Sequence, residues 1–343
     1  MSRQVDFSFI VPVYNGINNL RECLSSLTAL PQRNFEIIVV DDASTEDMSS
    51  VANINGIRLF TLKRNSGPAA ARNYGAQQAL GEVLFFVDAD IVVSPDVLCR
   101  VQKTFKNKPE VAAVFGSYDA HPRAPGLISQ YRNLMHHYVH QNGHSEASTF
   151  WAGCGAIRKD VFKKLNGFDD KRFARPSIED IELGYRLREA GYRIKLDKQL
   201  QVTHLKKWTV VSFVKTDILY RALPWSRLIL ERNSIPNDLN LKWDQRVCFP
   251  LVVLILMFSA LSLVQTECLA ISAAGLLTVL AINWRIYLFF YRQRGMLFAL
   301  ACFPLHLSYY IYSGFSYLYV RLLFLLPYYN TLNSYLIKRS RRS

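Results

Sequence analysis

The sequence predicts an α/β domain with a Rossmann-like, mostly parallel sheet, followed by an α-helical transmembrane region. Three observations predict it. Apolar, β-preferring runs alternate with helical patterns in the first half of the chain, as in a doubly wound sheet. Carboxylates stand directly after two of those runs. From Val247 onward, apolar and aromatic residues dominate, in stretches long enough to cross a bilayer.

The predicted strands are nearly continuous apolar runs, as expected of strands covered on both faces. They cover Phe7–Val13, Phe35–Val40, Ile57–Leu62, Val83–Val87 and Val111–Phe115. The predicted helices have apolar residues at helical spacing, and one has Pro68 in its first turn. They cover 20–27, Gly67–Leu80 and Ile178–Ala190.

Polar residues follow three of the strands, at Pro12–Asn15, Asp41–Asp42 and Asp88–Asp90. Ligands of such sheets bind beyond the carboxyl ends of the strands. We therefore expect these residues to converge in one cleft.

Two carboxylate pairs are candidate chemical groups. Asp88 and Asp90 can share a hard cation such as Mg²⁺ or Mn²⁺, which takes oxygen ligands and bridges carboxylates to a diphosphate. The alternative is that the pair only begins a loop. Glu179 and Asp180 open a predicted helix, where the alternative is that they complement the helix dipole.

Charge and cysteine content narrow the class of partner. The chain of 343 residues has a net charge of +14, and residues 241–343 contribute ten basic and two acidic side chains. Because the basic residues flank apolar segments, the pattern favours an anionic lipid surface over nucleic acid. The six cysteines show no metal-site spacing, which predicts reduced thiols. Residues 1–6 show no signal peptide, so the first domain is expected in the cytosol.

The predicted organisation has three parts: a catalytic domain at 1–207, an interfacial helix or linker at 208–240, and a membrane region at 241–343. Val210–Arg232 predicts an amphipathic helix in the membrane interface; an ordinary helix covering the domain is the alternative. The predicted spans are Val247–Val264, Cys268–Phe290, and a stretch Leu297–Leu326 broken by Pro304 and Gly314.

Topology is only partly fixed by these patterns. Arg292–Arg294 and the basic tail at 338–342 both favour the cytosol, and the number of crossings after Leu297 stays open. A soluble helical domain is the alternative to a membrane region. The expected location is a bacterial inner membrane, with the catalytic domain cytosolic.

Four ordered motifs and two further segments carry a family resemblance. The motifs are Pro12-Val13-Tyr14-Asn15, Asp41-Asp42-Ala43-Ser44, Asp88-Ala89-Asp90 and Glu179-Asp180; the segments are 65–73 and 153–169. In this order and spacing, residues 7–205 resemble the inverting family 2 glycosyltransferases of GT-A fold.

The resemblance implies a nucleotide-sugar donor, with a UDP-sugar expected. The implied nucleotide-binding residues are Pro12, Tyr14, Asn15, Asp42, Arg72 and Asp88. Tyr14 would stack on the base, with sheet capping as the alternative, and Asp42 would accept from a base N–H, with a helix cap as the alternative. Arg72 would reach the base or diphosphate, with a solvated helix charge as the alternative.

The resemblance also implies a metal and a base. Asp88, Asp90 and His204 would hold Mg²⁺ or Mn²⁺, although a lone histidine is also compatible with a structural role. Asp180 is the candidate general base and Glu179 would orient it or the acceptor. Because a phosphate acceptor needs no base, the pair favours a hydroxyl acceptor.

Gly153, Cys154, Gly155, Arg221 and Trp225 are the candidate acceptor-side residues. Processive synthases resembling this family carry Gln-x-x-Arg-Trp, which has no match near Arg221 and Trp225. We therefore expect a membrane-anchored enzyme that transfers one or a few sugars to a lipid or lipid-linked glycan in cell-envelope synthesis. The alternatives are a processive polysaccharide synthase, a non-catalytic nucleotide-sugar-binding scaffold and a transporter.

Overall fold

The computed structural model describes residues 5–326. They divide into two compact units, and the division falls between Trp208 and Thr209. The separate linker at 208–240 and membrane region at 241–343 stay predictions, and the basic tail at 338–342 lies outside the described residues.

The first unit alternates strands and helices along the chain. Its strands are β1 (Phe7–Val13), β2 (Phe35–Asp41), β3 (Ile57–Thr61), β4 (Val83–Val87), β5 (Ile91–Val93), β6 (Val111–Tyr118), β7 (Cys154–Arg158) and β8 (Arg193–His204). Its helices are α1 (Ile17–Thr28), α2 (Ser49–Ala52), α3 (Pro68–Gln78), α4 (Val97–Asn107), α5 (Leu127–Gln141), α6 (Lys159–Lys164) and α7 (Glu179–Glu189).

One mixed sheet contains all eight described strands, in the order β3-β2-β1-β4-β7-β6-β8-β5. β3, β2, β1 and β4 run parallel to one another. β7 then runs antiparallel to both β4 and β6, whereas β6 and β8 are parallel. The predicted parallel, Rossmann-like sheet is thus confirmed in the half that carries the motifs.

Sequence patterns do not predict β5, β7 or β8. Of these, β7 lies between β4 and β6 in the sheet. It has a glycine and an alanine at its second and third positions, and such small residues have low strand propensity. A Cβ on Gly155 would lie 2.3 Å from the carbonyl oxygen of Trp151 and 2.6 Å from the Phe150 ring. Close packing by those two residues accounts for glycine at position 155, and pairing with β4 and β6 on its two sides makes this segment a strand.

Close packing positions α3 against the sheet. Gly75 faces β1, where an added Cβ would lie 2.5 Å from Cγ2 of Ile10. Phe9 of β1 stacks on Phe85 of β4, with ring centroids 4.8 Å apart, and both are fully buried. Burial of one such phenylalanine contributes about 1.5–3 kcal/mol, so the core fixes the strand ends that bear the motifs.

The second unit is helical over most of its described length. It comprises α8 (Val210–Lys215), a π-helical segment (Thr216–Ala222), α9 (Leu223–Arg232), a 3₁₀ turn (Leu239–Leu241), α10 (Trp243–Leu261), α11 (Cys268–Arg294) and α12 (Met296–Leu325). Within residues 5–326, the last three helices are long and apolar enough to cross a membrane.

The predicted break in the last span is wrong, because α12 continues from Met296 to Leu325 through Pro304 and Gly314. Apolar spanning helices accommodate such residues when neighbouring helices pack around them. Gly314 marks a close approach, since an added Cβ would lie 2.1 Å from the Phe249 ring.

The helical run predicted at Val210–Arg232 is interrupted by its π-helical segment. Val211 and Val214 of the predicted apolar stripe are exposed, whereas Ile229 is buried. The stripe is therefore divided between an exposed face near its start and a buried face near its end.

Candidate active site

The loops after β1 and β2 are joined by hydrogen bonds beyond the sheet edge. The Asp42 amide donates to the Val13 carbonyl at 2.8 Å, and the Asn15 amide donates to Oγ of Ser44 at 2.8 Å. Pro12 lies within β1, paired with Val40 of β2. These loops therefore form one continuous surface at the carboxyl ends of the two strands.

Tyr14 is the exposed aromatic of this surface, with 51% of its side chain accessible. The next residue, Asn15, has a left-handed backbone with φ of 55°, a conformation that asparagine tolerates better than most residues. Its Oδ1 accepts a hydrogen bond from the Thr45 amide at 3.0 Å. A fixed turn thus presents the Tyr14 ring to solvent, available for stacking.

Asp42 is buried, and both its carboxylate oxygens accept backbone hydrogen bonds. Oδ1 accepts from the Ser66 amide and Oδ2 from the Gly67 amide, each at 2.7 Å. Burial raises the pKa of Asp42, and the charge of Asp41 adds to the rise against the effect of those two amides. Asp42 therefore fixes the turn that starts α3, which is a capping role, and each oxygen keeps a second lone pair.

Arg72 of α3 is a buried cation held between two carboxylates. Its Nη1 lies 2.8 Å from Oε1 of Glu179, and its Nη2 lies 2.6 Å from Oδ1 of Asp88. Burial opposes the charged form, but these carboxylates outweigh it and raise the pKa of Arg72. The alternative of a solvated helix charge is wrong, because the side chain is only 6% exposed.

Asp88 and Asp90 lie between β4 and β5, on a loop tied to two other parts of the fold. The Asp88 amide donates to the Gly153 carbonyl at 3.1 Å, and the Leu205 amide donates to the Asp90 carbonyl at 2.8 Å. Because β5 pairs with the end of β8, Ile91 lies opposite His204. Nε2 of His204 consequently lies 3.7 Å from Oδ2 of Asp90.

The pair of Asp90 and His204 fits a divalent cation in part. Burial acts to raise the pKa of Asp90, but His204 and the charge of Lys206 outweigh it and lower the pKa, which favours the anionic, metal-binding form. Within residues 5–326, no group of three or more His, Cys, Asp or Glu side chains is arranged to hold a metal. The donor set therefore suits a cation that takes further ligands from a diphosphate and water.

Asp180 occupies the first turn of α7. Its Oδ2 accepts from the Ala152 amide at 3.0 Å and its Oδ1 from the Ile181 amide at 2.8 Å. Burial, and secondarily the charge of Glu179, raise the pKa of Asp180 to about 6. A carboxylate with such a pKa is still ionised at neutral pH and is a stronger base than an exposed aspartate.

The two carboxylate oxygens of Glu179 contact Arg72 and the backbone just before α7. Its Oε1 pairs with Arg72, and its Oε2 accepts from the Ser177 amide at 2.9 Å. The side chain is buried. Both oxygens are thus engaged in fixing the beginning of α7, next to the candidate base.

The predicted acceptor-side segment before and within β7 is covered by neighbouring side chains. Gly153, Cys154 and Gly155 are all buried, and a Cβ on Gly153 would lie 2.5 Å from the Trp151 ring. Burial raises the pKa of Cys154 above its usual range, so its thiol stays protonated. Close approach of Trp151 accounts for glycine at position 153.

Arg221 and Trp225 lie in the second unit, Arg221 in the π-helical segment and Trp225 in α9. Their assignment to the acceptor side stays a prediction.

Sequence patterns missed two groups near the candidate site. The Ala152 amide contributes through the backbone, which side-chain motifs do not reveal. Tyr118 stacks on His204 with ring centroids 4.3 Å apart, and His136 and Trp151 pack on Tyr118 at 4.4 and 4.9 Å. The histidines and aromatics between 118 and 151 were the available signal, but they come from β6, α5 and the segment before β7 and form no contiguous motif.

Comparisons with known proteins agree with this geometry. Residues 8–166 match the family model described as glycosyl transferase family 2, and residues 132–208 match one described as the N-terminal domain of galactosyltransferase. An uncharacterized glycosyltransferase of Rickettsia felis is 45% identical over 87 residues, which are 24% of this chain and 14% of the relative. A poly-β-1,6-N-acetyl-D-glucosamine synthase of Staphylococcus aureus is 27% identical over 198 residues, 55% of this chain and 47% of the relative.

The chain thus spans less than half the length of either relative. Among solved structures, a mannosyltransferase from Pyrobaculum calidifontis in complex with GDP-Man and Mn²⁺ superposes with a TM-score of 0.56 at 19% identity, over 92% of this chain and 88% of that one. This likeness concerns the fold. By the family match, residues 8–166 form a glycosyltransferase family 2 domain, and the likeness in fold to this solved structure agrees with a GT-A fold.

Proposed function

We propose that the protein is a membrane-anchored glycosyltransferase that moves a sugar from a nucleotide sugar, a UDP-sugar, to a hydroxyl of a lipid or lipid-linked glycan. The reaction is an inverting single displacement assisted by a divalent metal. The observation that supports the proposal is the pair of ionic contacts that buried Arg72 makes with Asp88 and Glu179, because Glu179 directly precedes the candidate base Asp180 at the start of α7.

Residues at the carboxyl ends of β1 and β2 would bind the nucleotide-sugar donor. Tyr14 offers an exposed ring for a nucleotide base, and aromatic stacking is tolerant of base identity. Asp42 retains lone pairs toward a base N–H while it holds the turn before α3. The Pyrobaculum calidifontis protein, which was solved with a nucleotide sugar and Mn²⁺, supports a donor of this class.

Asp90 and His204, with the oxygen of Asp88 that Arg72 leaves available, would hold Mg²⁺ or Mn²⁺. The metal would neutralise charge that develops on the departing nucleoside diphosphate. Arg72 is already paired with both Asp88 and Glu179, so the positive charge that the leaving group needs would come from the metal.

Asp180 would remove the proton of the acceptor hydroxyl as that oxygen attacks the anomeric carbon. The new bond joins the acceptor oxygen to the sugar, the bond to the nucleoside diphosphate breaks, and the proton passes to a carboxylate oxygen of Asp180. Attack opposite the leaving group inverts the anomeric centre. A phosphate acceptor is already anionic and needs no base, so a base of pKa about 6 supports a hydroxyl acceptor.

The three long apolar helices support attachment to a membrane. Arg292 and Arg294 at the end of α11 favour the cytosolic side, and we place the catalytic domain in the cytosol of a bacterial cell, at its inner membrane. A lipid or lipid-linked glycan is the acceptor that such an anchored enzyme would meet.

A processive polysaccharide synthase is the second candidate. The observation that favours it is the 27% identity to the Staphylococcus aureus synthase over 198 residues. The length of the product distinguishes the two: one or a few added sugars per acceptor support the first proposal, and long polymer supports the second.

The test is nucleoside diphosphate release by the detergent-purified full chain. A panel of UDP-, GDP- and dTDP-sugars would be supplied with and without Mn²⁺ or Mg²⁺, with membrane lipid extract as acceptor. Metal-dependent, lipid-stimulated release from one donor, lost in Asp90→Ala, is the expected result. Binding of a donor without release under any condition would instead indicate a non-catalytic scaffold.

A further inference from the structure

His204 needs a fixed ring to act as a metal ligand, because metal-binding imidazoles are oriented by groups behind them. Its ring lies nearly parallel to that of Tyr118, with centroids 4.3 Å apart and an interplanar angle of 17°. In this orientation Nε2 of His204 faces Asp90 at 3.7 Å. The stacked face of Tyr118 therefore restricts how far the imidazole can rotate away from the carboxylate.

Tyr118 is itself held from the backbone. It ends β6, where it lies opposite Val202 of β8, and the following Asp119 amide donates to the Val202 carbonyl at 2.9 Å. The Tyr118 carbonyl lies 2.7 Å from Nδ1 of His137 on α5. The register between β6 and β8 thus sets the Tyr118 ring beside His204, two residues beyond Val202.

Two further rings support the side of Tyr118. His136 of α5 lies 4.4 Å from it, centroid to centroid, and the Trp151 ring meets it edge-on at 4.9 Å and 80°. His136 and Trp151 also contact each other at 4.7 Å. Tyr118 of β6, His136 of α5 and Trp151 of the segment before β7 come from three separate parts of the fold. Tertiary packing, and not its own rotamer preference, therefore fixes the Tyr118 ring.

We propose that Tyr118 is a positioning residue for the metal site: its ring, supported by His136 and Trp151, holds the His204 imidazole toward Asp90. The inference rests on the proposed metal-assisted function. It adds a residue that does not touch the metal or the substrate, and it explains how a single imidazole at the end of a strand has one defined direction.

Removal of the ring should free the imidazole. In Tyr118→Leu, His204 loses its stacked neighbour while Asp88 and Asp90 keep their backbone contacts. Loss of a group that orients a metal ligand typically weakens metal affinity about 10–100-fold. Tyr118→Phe keeps the stacked face and should keep the affinity of the wild type.

The experiment measures the Mn²⁺ affinity of the detergent-purified full chain in the presence of UDP, from the loss of the free-Mn²⁺ electron paramagnetic resonance signal beyond that caused by UDP alone. The variants are Tyr118→Phe, Tyr118→Leu, His204→Ala and Asp90→Ala. Phe60→Leu removes a ring from β3, at the opposite end of the sheet order from β8 and β5, and serves as the matched control. We expect wild-type affinity in Tyr118→Phe and Phe60→Leu, and about tenfold weaker binding in Tyr118→Leu.

The outcomes separate the two proposals. Wild-type affinity in Tyr118→Leu, with binding lost in Asp90→Ala, would overturn the role of Tyr118 and leave the metal site standing. Mn²⁺ binding that is absent in the wild type, or unaffected in both Asp90→Ala and His204→Ala, would overturn the metal site itself. If Tyr118→Leu does not fold, His136→Ala, which removes the support behind Tyr118, should weaken binding, and unchanged affinity in it would overturn the inference.

Discussion

The guanidinium of Arg72 and the carboxylate of Glu179 form a buried ion pair with Nη1 and Oε1 2.8 Å apart, although 107 positions separate them in the sequence. Because Arg72 also pairs with Asp88, one side chain joins the loop of the candidate metal ligands to the helix of the candidate base. The candidate metal ligands and the candidate base are thus linked through a single cation on α3.

Removal of that cation should destabilise the protein strongly. In Arg72→Met, Glu179 stays buried without its partner, and breaking a buried pair costs about 3–5 kcal/mol. The control is Arg123→Met, since Arg123 pairs with Glu22 and the two side chains are 63% and 47% exposed, and exposed pairs contribute about 0–1 kcal/mol. Urea unfolding of the full chain in detergent measures both. Equal losses in the two variants would contradict the central place of Arg72.

Activity should depend on pH through Asp180. The base must be ionised to accept a proton, so kcat/KM should rise with pH to a plateau, with its midpoint near the pKa of about 6. Glu179 and Arg72 are the charged groups beside it. Glu179→Gln removes the negative charge that raises this pKa and should shift the midpoint to lower pH. The pH range from about 5 to about 8 brackets this pKa. A value of kcat/KM that does not change across that range would argue against Asp180 as the base.

The contribution of Asp180 to the free energy of unfolding should fall as the pH rises, whereas its contribution to the rate should increase. Burial raises the pKa of Asp180 above its unfolded value of 3.8, so the protonated folded state is favoured at low pH and this contribution is lost as the pH rises through about 6. Asp180→Asn stays neutral and escapes that loss. The free energy of unfolding of Asp180→Asn relative to wild type should therefore increase with pH. A difference that is constant with pH would mean that the pKa of Asp180 is not raised.

Gly67 should tolerate alanine poorly for two reasons that a matched glycine separates. Gly67 and Gly56 both have a positive φ, of 89° and 85°, and Gly67, with ψ of 163°, lies in a region open essentially to glycine, where another residue costs about 1–3 kcal/mol. Only at Gly67 would the new Cβ also meet a backbone atom, the Ala174 carbonyl oxygen at 2.6 Å, whereas Gly56 has nothing within 4 Å. Gly67→Ala should lose more stability than Gly56→Ala, and should lose activity because it displaces the start of α3. Equal unfolding midpoints would contradict the close contact.

Asp42→Asn should be more harmful than Asp41→Asn. Both oxygens of Asp42 accept backbone N–H groups, and an amide offers only one acceptor, so one N–H would face the new NH₂ group at a cost of about 1–3 kcal/mol. Asp41 accepts from the Ser44 amide through Oδ1, which an asparagine can replace. Urea unfolding of the two variants measures the difference, and a larger loss in Asp41→Asn would contradict it.

Much of the site's location was predictable from the sequence. Continuous apolar runs identify β1, β2 and β4, and the carboxyl ends of adjacent parallel strands must lie at one edge, which brings Asn15, Asp42 and Asp88 together. Two acids in the first turn of a predicted helix, with the family resemblance, indicate Glu179 and Asp180.

Long-range packing was not predictable in the same way. The partners of Arg72, the amide of Ala152 and the stacking of Tyr118 on His204 depend on tertiary contacts that leave no local pattern. Similarly, α12 passes through Pro304 because packing between apolar helices overrides local helix-breaking propensity.

The most direct test of the proposed mechanism compares Asp180→Asn with the wild type in two measurements: metal-dependent release of nucleoside diphosphate with lipid extract as acceptor, and binding of the same donor by calorimetry. The account predicts that the variant binds the donor with wild-type affinity and releases diphosphate at least 100-fold more slowly, as loss of a general base typically costs about 10²–10⁴ in rate. Release at the wild-type rate by a variant that binds the donor normally would contradict it.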